Sequence, residues 1–547
     1  MFAQYFSETF SSPFSNDEQV MAWSTTPLRA EQIRTSHLFL KALQRLVISD
    51  SGTLSQNITG PRGDDDPPQA VNLAQAFFRT TPQLLQSITN ARRAVVQAMK
   101  GSASAARKEN QAILAALTKH LLAFGKIFLA LVGRDRSKAA SWQGWLDIVW
   151  WYWQEAREFA VNSPEPSMPN TDPTDLVRTP SRFVIQALLL LKESLSKWKQ
   201  EPERAAGLLS IDFAKEASEI LVGKMMRLNK EELAEWDADP EQWSVAESQK
   251  QEQFDLEIRT AAERTLMVLA ATVKPKYSVG RHVWKLFEML AQLGTSTLDD
   301  VLTRDAIYAA VGRLRDHLPV VMPGHVPDPD EEEEESFDLS TVIGERLVRE
   351  ASSGPEAGAS WVIIRRRIAW LIWEWSERVS TQHRPATYEV LVNLLADTPS
   401  VTDIAVRLAA ARSLGALADA VEFDAETFTP YLEPALTRLA SLAASSSLQE
   451  MDSIKTCTDA LSLLIERLGP RIVPHIHQLA SLVAPLWNVP DSDFRAKPSV
   501  LVYVTNLVRA IEMLSGGGSE GLLEPLHGIV RDLVRSSMQK VRTHGAI

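Results

Sequence analysis

A single cysteine, Cys457, stands in 547 residues. One thiol can form neither a disulfide framework within the chain nor a thiolate-rich zinc site, so the sequence reads as that of a reducing compartment. Basic residues are in deficit, 57 Lys and Arg against 69 Asp and Glu, for a net charge of −12. Such a field repels a phosphate backbone unless a local basic patch outweighs it. Nucleic acid is therefore not an expected partner, whereas basic protein surfaces are. The first 28 residues hold no Lys or Arg and no long apolar core, which leaves no secretory signal to read there. Apolar runs such as 121–132, interrupted by Lys126, are too short to cross a bilayer. Membrane insertion is not expected, and the chain reads as soluble and intracellular.

Catalytic patterns are missing as well. The ten histidines form no HExxH arrangement, and His475 and His477, two apart, point to different faces of a helix. Gly516, Gly517 and Gly518 lack the Lys-Ser/Thr that a phosphate-binding loop requires, and Gly-x-Ser-x-Gly does not occur. No enzyme, metal or cofactor is expected. Strand signals are scarce too, with no good alternating series bounded by Asn-Gly or Asp-Gly turns.

What is present is helical periodicity over a large apolar fraction, 45% of residues. In 182–198, Val184, Leu188, Leu191, Leu195 and Trp198 recur at spacings of four and three on one helix face, and Leu189 and Leu190 widen it. A helix apolar over so much of its circumference packs on more than one side. Helix starts are legible at Thr179-Pro180, at Asn229 with Glu232, and at Asp239-Pro240 with Gln242.

The last third of the chain divides into helix pairs: 385–396 with 405–421, 428–443 with 452–468, and 473–486 with 498–514. A turn at 397–403 separates the first two helices, and Ala410, Leu414, Leu417 and Val421 form the expected buried stripe of the second. The second helices recur at intervals within or close to the roughly 40 to 47 residues of HEAT and armadillo units. A helix pair cannot bury its apolar face alone, and a chain of this length exceeds a single core, so neighbours must stack. The expected fold over 1–547 is all-α, a HEAT/armadillo-like α-α superhelix: a solenoid of antiparallel helix pairs with a long curved surface. Segments 51–68, 162–175, 317–336 and 351–359, rich in Pro, Gly, Ser or acidic residues, are expected as inter-repeat insertions.

The segment 220–243, ILVGKMMRLNKEELAEWDADPEQW, carries Leu228, Asn229, Glu231, Glu232, Leu233, Trp236, Asp239, Pro240, Glu241 and Trp243. It resembles a motif of the importin-eleven-type branch of the importin-β (karyopherin-β) superfamily, in which a Leu-Thr/Asn stretch with Glu, Leu and Trp runs into Asp-Pro-Glu-x-Trp/Phe. Four more stretches are similar to the family in the same order: 149–159, 182–195, 365–375 and 406–414, with 423–434 close behind. Members of that superfamily begin with an importin-β N-terminal domain and run to about twenty repeats of ~45 residues. This chain offers eleven or twelve, and is expected to be a central fragment, a short isoform or an incomplete gene model. The resemblance implies a nuclear transport receptor that shuttles between cytoplasm and nucleus through the nuclear pore. It further implies cargo proteins, Phe-Gly nucleoporins and the Ran GTPase as partners, the Ran contact weakened by the missing repeats. A non-transport HEAT scaffold or regulatory subunit is the alternative reading.

Two charged stretches are candidate partner contacts. Asp328, Asp330, Glu331, Glu332, Glu333, Glu334 and Glu335 form an acidic run that reads either as a solvated loop or as a dock for a basic partner. Arg365, Arg366 and Arg367 open an aromatic helix with Trp370, Trp373 and Trp375. Three consecutive arginines cannot share one helix face, so pairing with neighbouring repeats is the first reading and partner contact the second. The Trp-rich stretch 142–153 reads first as inter-repeat core.

Overall fold

The computed structural model describes residues 19, 22–23, 29–53, 73–99, 104–134, 142, 144–163, 178–199, 207–250, 257–290, 297–318, 342–353, 360–396, 403–445, 448–488, 496–513, 527–528, 530–531 and 534–535. Among the described residues every regular element is a helix. In chain order the longer ones are α1 (Arg29–Thr53), α2 (Leu73–Met99), α3 (Ser104–Arg134), α4 (Trp145–Asn162), α5 (Ser181–Trp198), α6 (Ile211–Ile220), α7 (Lys230–Ala238), α8 (Pro240–Lys250), α9 (Ile258–Thr272), α10 (Ser278–Met289), α11 (Leu298–Arg313), α12 (Trp361–Glu374), α13 (Arg384–Leu394), α14 (Ile404–Asp419), α15 (Leu432–Ala443), α16 (Met451–Leu468) and α17 (Lys497–Glu512).

The chain forms two compact units, Met1–Asn229 with Phe254–His282, and Lys230–Gln253 with Val283–Ile547. In the first unit, α1, α3, α5 and α9 stack in succession, while α2 packs on α3 and α4 on α5. In the second unit, α11, α12, α14, α16 and α17 stack in the same way, with α13 packed on α14 and α15 on α16. Each unit is thus two helical layers, a stack of second helices backed by first helices, which is the HEAT-type arrangement read from the sequence. Close stacking is possible where side chains are small. A Cβ on Gly415 of α14 would stand 3.3 Å from the Ala460 backbone of α16.

Aromatic residues fill the first unit. Tyr152 stacks on Phe183 at 5.2 Å, Phe128 meets Trp145 edge-on at 5.8 Å, and Trp145 Nε1 donates to Ser194 Oγ at 3.0 Å. The Trp-rich stretch is inter-helix core as read, apart from Trp150, which is 42% exposed.

Helix bounds in the last third follow the expected pairs within a few residues except at 473–486, which is broken into a 3-10 helix at Gly469–His475 and two short helices, Ile476–Ser481 and Val483–Asn488, with Pro474 inside the first. Three further local expectations need correction. Val421 lies beyond α14 and is 97% exposed, because Ala420 turns to an extended backbone (φ −56, ψ 142) and ends the helical period. Thr179 does not cap α5: Pro180 is the N-cap residue, with φ −63 and ψ 136, and no side chain caps the helix. The apolar run at 121–132 belongs to a helix longer than the run itself. Its Asn110–Arg134 stretch is long and apolar enough to cross a membrane by length and composition, and it is mostly buried against α1, α2 and α5. The expected insertions at 51–68, 162–175, 317–336 and 351–359 lie largely outside the described residues.

Candidate functional site

The motif segment has an unusual place in the chain. After Asn229 the sequence leaves the first unit, contributes Lys230–Gln253 to the second, and returns to the first at Phe254. Two short helices make up this arm. α7 opens directly after Asn229, where Asn229 and Glu232 have capping-box spacing. α8 begins with Pro240 at its first position, and Asp239 Oδ1 accepts the Gln242 amide at 2.9 Å, the cap expected from the sequence.

The arm lies on α14 and α16 within the second unit. Trp236 and Trp243, seven residues apart, stack with ring centroids at 4.2 Å and planes 20° apart. The Arg366 guanidinium of α12 stands 4.9 Å from the Trp243 ring and pairs with Glu247 at 3.8 Å. Trp236 Nε1 donates to Asp403 Oδ2 at 2.8 Å. The Glu241 carboxylate accepts the backbone N–H groups of Gln449 and Glu450, at 2.8 and 3.0 Å, just ahead of α16. Further along, Gln249 Nε2 donates to Asp452 at 2.9 Å and Arg412 Nη1 donates to Ser248 Oγ at 2.9 Å. The named contacts are largely polar or charge-assisted, with the paired indoles as the apolar centre.

Asp403 has two tasks. Its carboxylate caps α14 by accepting the amides of Ala405 and Val406, and it receives the Trp236 indole. Burial pushes its pKa up from the ordinary aspartate value, against which the Trp236 and backbone hydrogen bonds act.

Of the motif residues, Leu228 and Asn229 are buried in the first unit; Glu232, Trp236, Glu241 and Trp243 are buried in the second. Leu233 and Pro240 are half-buried, and Asp239 is exposed at its cap. Arg366 of α12 stands out in the sequence as a residue that pairs with neighbours, but the receiving groups on α14 and α16 carry no local signature: Asp403 reads in sequence as a turn residue, and Gln449 and Glu450 contribute only backbone.

All three consecutive arginines are buried among their neighbours. Arg367 Nε donates to Asp305 Oδ1 of α11 at 2.6 Å, and its guanidinium lies 4.9 Å from the Trp370 ring. Arg366 meets the arm, and Arg365 Nη2 donates to the Ser353 carbonyl. The acidic run, Asp328 to Glu335, lies outside the described residues. Cys457 is fully buried on α16, where burial pushes its thiol up to about 12 and leaves it unreactive.

No family model matches the chain. Mouse importin-11 is 26% identical over 350 residues, which is 60% of this chain and 33% of importin-11. Among solved structures, Lph2, a bidirectional nuclear transport receptor in S. cerevisiae, matches 96% of this chain and 53% of its own, with a TM-score of 0.59 at 17% identity. Kap121p bound to Nup53p matches 99% of this chain and 52% of its own, with a TM-score of 0.51 at 14% identity. The chain spans about a third of mouse importin-11 and about half of these structures.

Proposed function

We propose that this chain is a nuclear transport receptor of the importin-β family, on its importin-11-like side, holding protein cargo and shuttling between cytoplasm and nucleus. The observation that carries the reading is the identity with importin-11 over 350 residues. Stacked helix pairs in both units agree with it, because such arrays present extended faces for macromolecular partners.

Cargo, Phe-Gly nucleoporins and the Ran GTPase are the proposed partners. Kap121p has been solved bound to Nup53p, which supports a pore-protein contact for a chain of similar fold. The acidic run 328–335 is the proposed contact for basic partners, in keeping with the net charge of −12.

Passage of the folded chain over immobilised Phe-Gly repeat peptide tests the reading. A transport receptor is retained through many shallow apolar contacts, and a non-transport HEAT scaffold elutes with the void. Absence of retention at low salt overturns the transport assignment.

A further inference from the structure

A cavity of about 270 Å³ opens beside the start of α16, between α8, α14 and α16. Its lining includes Ser248 of the arm, Arg412 of α14, and Asp452, Ser453 and Lys455 of α16. Ser453 is 1% exposed, and its Oγ has no hydrogen-bond partner. A buried hydroxyl in that condition is uncommon, and an acceptor entering the cavity would satisfy it.

Charge favours an anion there. Two cations, Arg412 and Lys455, line the cavity against one carboxylate, Asp452. Asp452 is engaged by Gln249 Nε2 at 2.9 Å, and Lys455 shares its charge with Asp459 at 2.7 Å. Burial holds the Arg412 pKa below its ordinary value, and the attraction of Asp452 only partly opposes this. A further oxyanion beside the guanidinium would add to that compensation. The 18-residue helix α16 adds the positive end of its dipole, and no side chain of its N-cap residue, Glu450, caps it. The chain already places one carboxylate at this end, since Glu241 accepts the Gln449 and Glu450 amides.

We propose that this cavity receives one oxyanion, a carboxylate or a phosphate, carried on a side chain of a partner protein segment. Arg412 and Lys455 supply the charge, and Ser453 Oγ donates a hydrogen bond. Such a contact has the opposite sign to the basic partners that the acidic chain attracts overall. It does not depend on the transport reading.

The test uses the full chain, inorganic phosphate, and three acetyl-Gly-Gly-X-Gly-Gly amide peptides in which X is phosphoserine, glutamate or serine. Binding is followed by calorimetry, with potassium chloride matching the ionic strength. Phosphate and at least one acidic peptide are expected to saturate one site, and the serine peptide to leave it unfilled. Which acidic peptide binds identifies the source of the oxyanion. Arg412→Gln is expected to weaken binding about tenfold or more, and Arg412→Lys to retain part of it. Ser453→Ala, a small change that leaves the fold intact, is expected to weaken it several-fold. Saturation by no probe, or equal affinity in chain and variants, overturns the proposal. Retention on Phe-Gly peptide is unaffected by these variants, so failure here leaves the transport assignment standing.

Discussion

The indole N–H of Trp236 donates to the carboxylate of Asp403 at 2.8 Å, joining residues 167 apart in the sequence. That carboxylate is also the N-cap of α14, so one half-buried group secures both the arm and the helix start.

Trp236→Phe keeps the ring stacked on Trp243 and removes the donor. It is expected to destabilise the second unit by about 1–3 kcal/mol, the range for a lost hydrogen bond to a charged group. Asp403→Ala is expected to cost more, because the α14 cap, worth about 1 kcal/mol, goes with it. The double variant is expected to be less destabilised than the sum of the two single effects. Urea unfolding of all three decides this, and a neutral Trp236→Phe would show that the bond holds nothing.

Arg367 and Asp305 form a buried pair, their side chains 3% and 1% exposed. Arg367→Met leaves Asp305 buried and charged, for an expected loss of about 3–5 kcal/mol. Replacing both, as Arg367→Met with Asp305→Leu, is expected to recover most of that loss, because two desolvation costs disappear together. Thermal unfolding of the single and double variants is the check, and an equal loss in both would refute it.

His120 is fully buried in the first unit, with Nε2 3.3 Å from Ser36 Oγ, and burial, reinforced by His37, lowers its pKa from 6.5 to about 4. A folded pKa below the unfolded one means that the unfolded chain binds the proton more readily. Its contribution is therefore fully present above pH 6.5 and is lost as pH falls through about 4. Stability measured across that window should fall with acid, and His120→Gln should flatten the profile. A variant as acid-sensitive as the parent would place the effect elsewhere.

The acidic run should matter for binding and hardly at all for folding. Replacing Glu331, Glu332, Glu333, Glu334 and Glu335 with Ser is expected to leave the melting temperature nearly unchanged. Affinity for a basic peptide should fall at low salt, with the difference shrinking as salt screens the contact. Unchanged affinity for every basic partner would reduce the run to a solvated spacer.

Much of the fold was legible because helix formation and pairing are local events. The four-and-three spacing in 182–198, the Asp239 cap with Gln242, and the first two pairs of the last third all appear close to where the sequence sets them, whereas the expected helix 473–486 is broken into short pieces. Val421 was misread because an apolar residue in register does not reveal where a helix stops; a backbone turn at Ala420 settled it. The motif 220–243 stood out as a string of residues, but no spacing told what it touches.

The amino-acid order by itself determined the helical class, the repeat, the acidic charge, and the resemblance to importin-eleven-type chains through Trp236, Asp239, Pro240, Glu241 and Trp243. Only the tertiary structure decided that these residues form an arm set on α14 and α16, that Asp403 and the amides of Gln449 and Glu450 receive it, and that Arg366 closes over Trp243. The physical reason is range. Periodicity and caps act over three or four residues, whereas these contacts join groups more than a hundred residues apart, and two of the receiving groups are backbone N–H groups that every residue but proline carries.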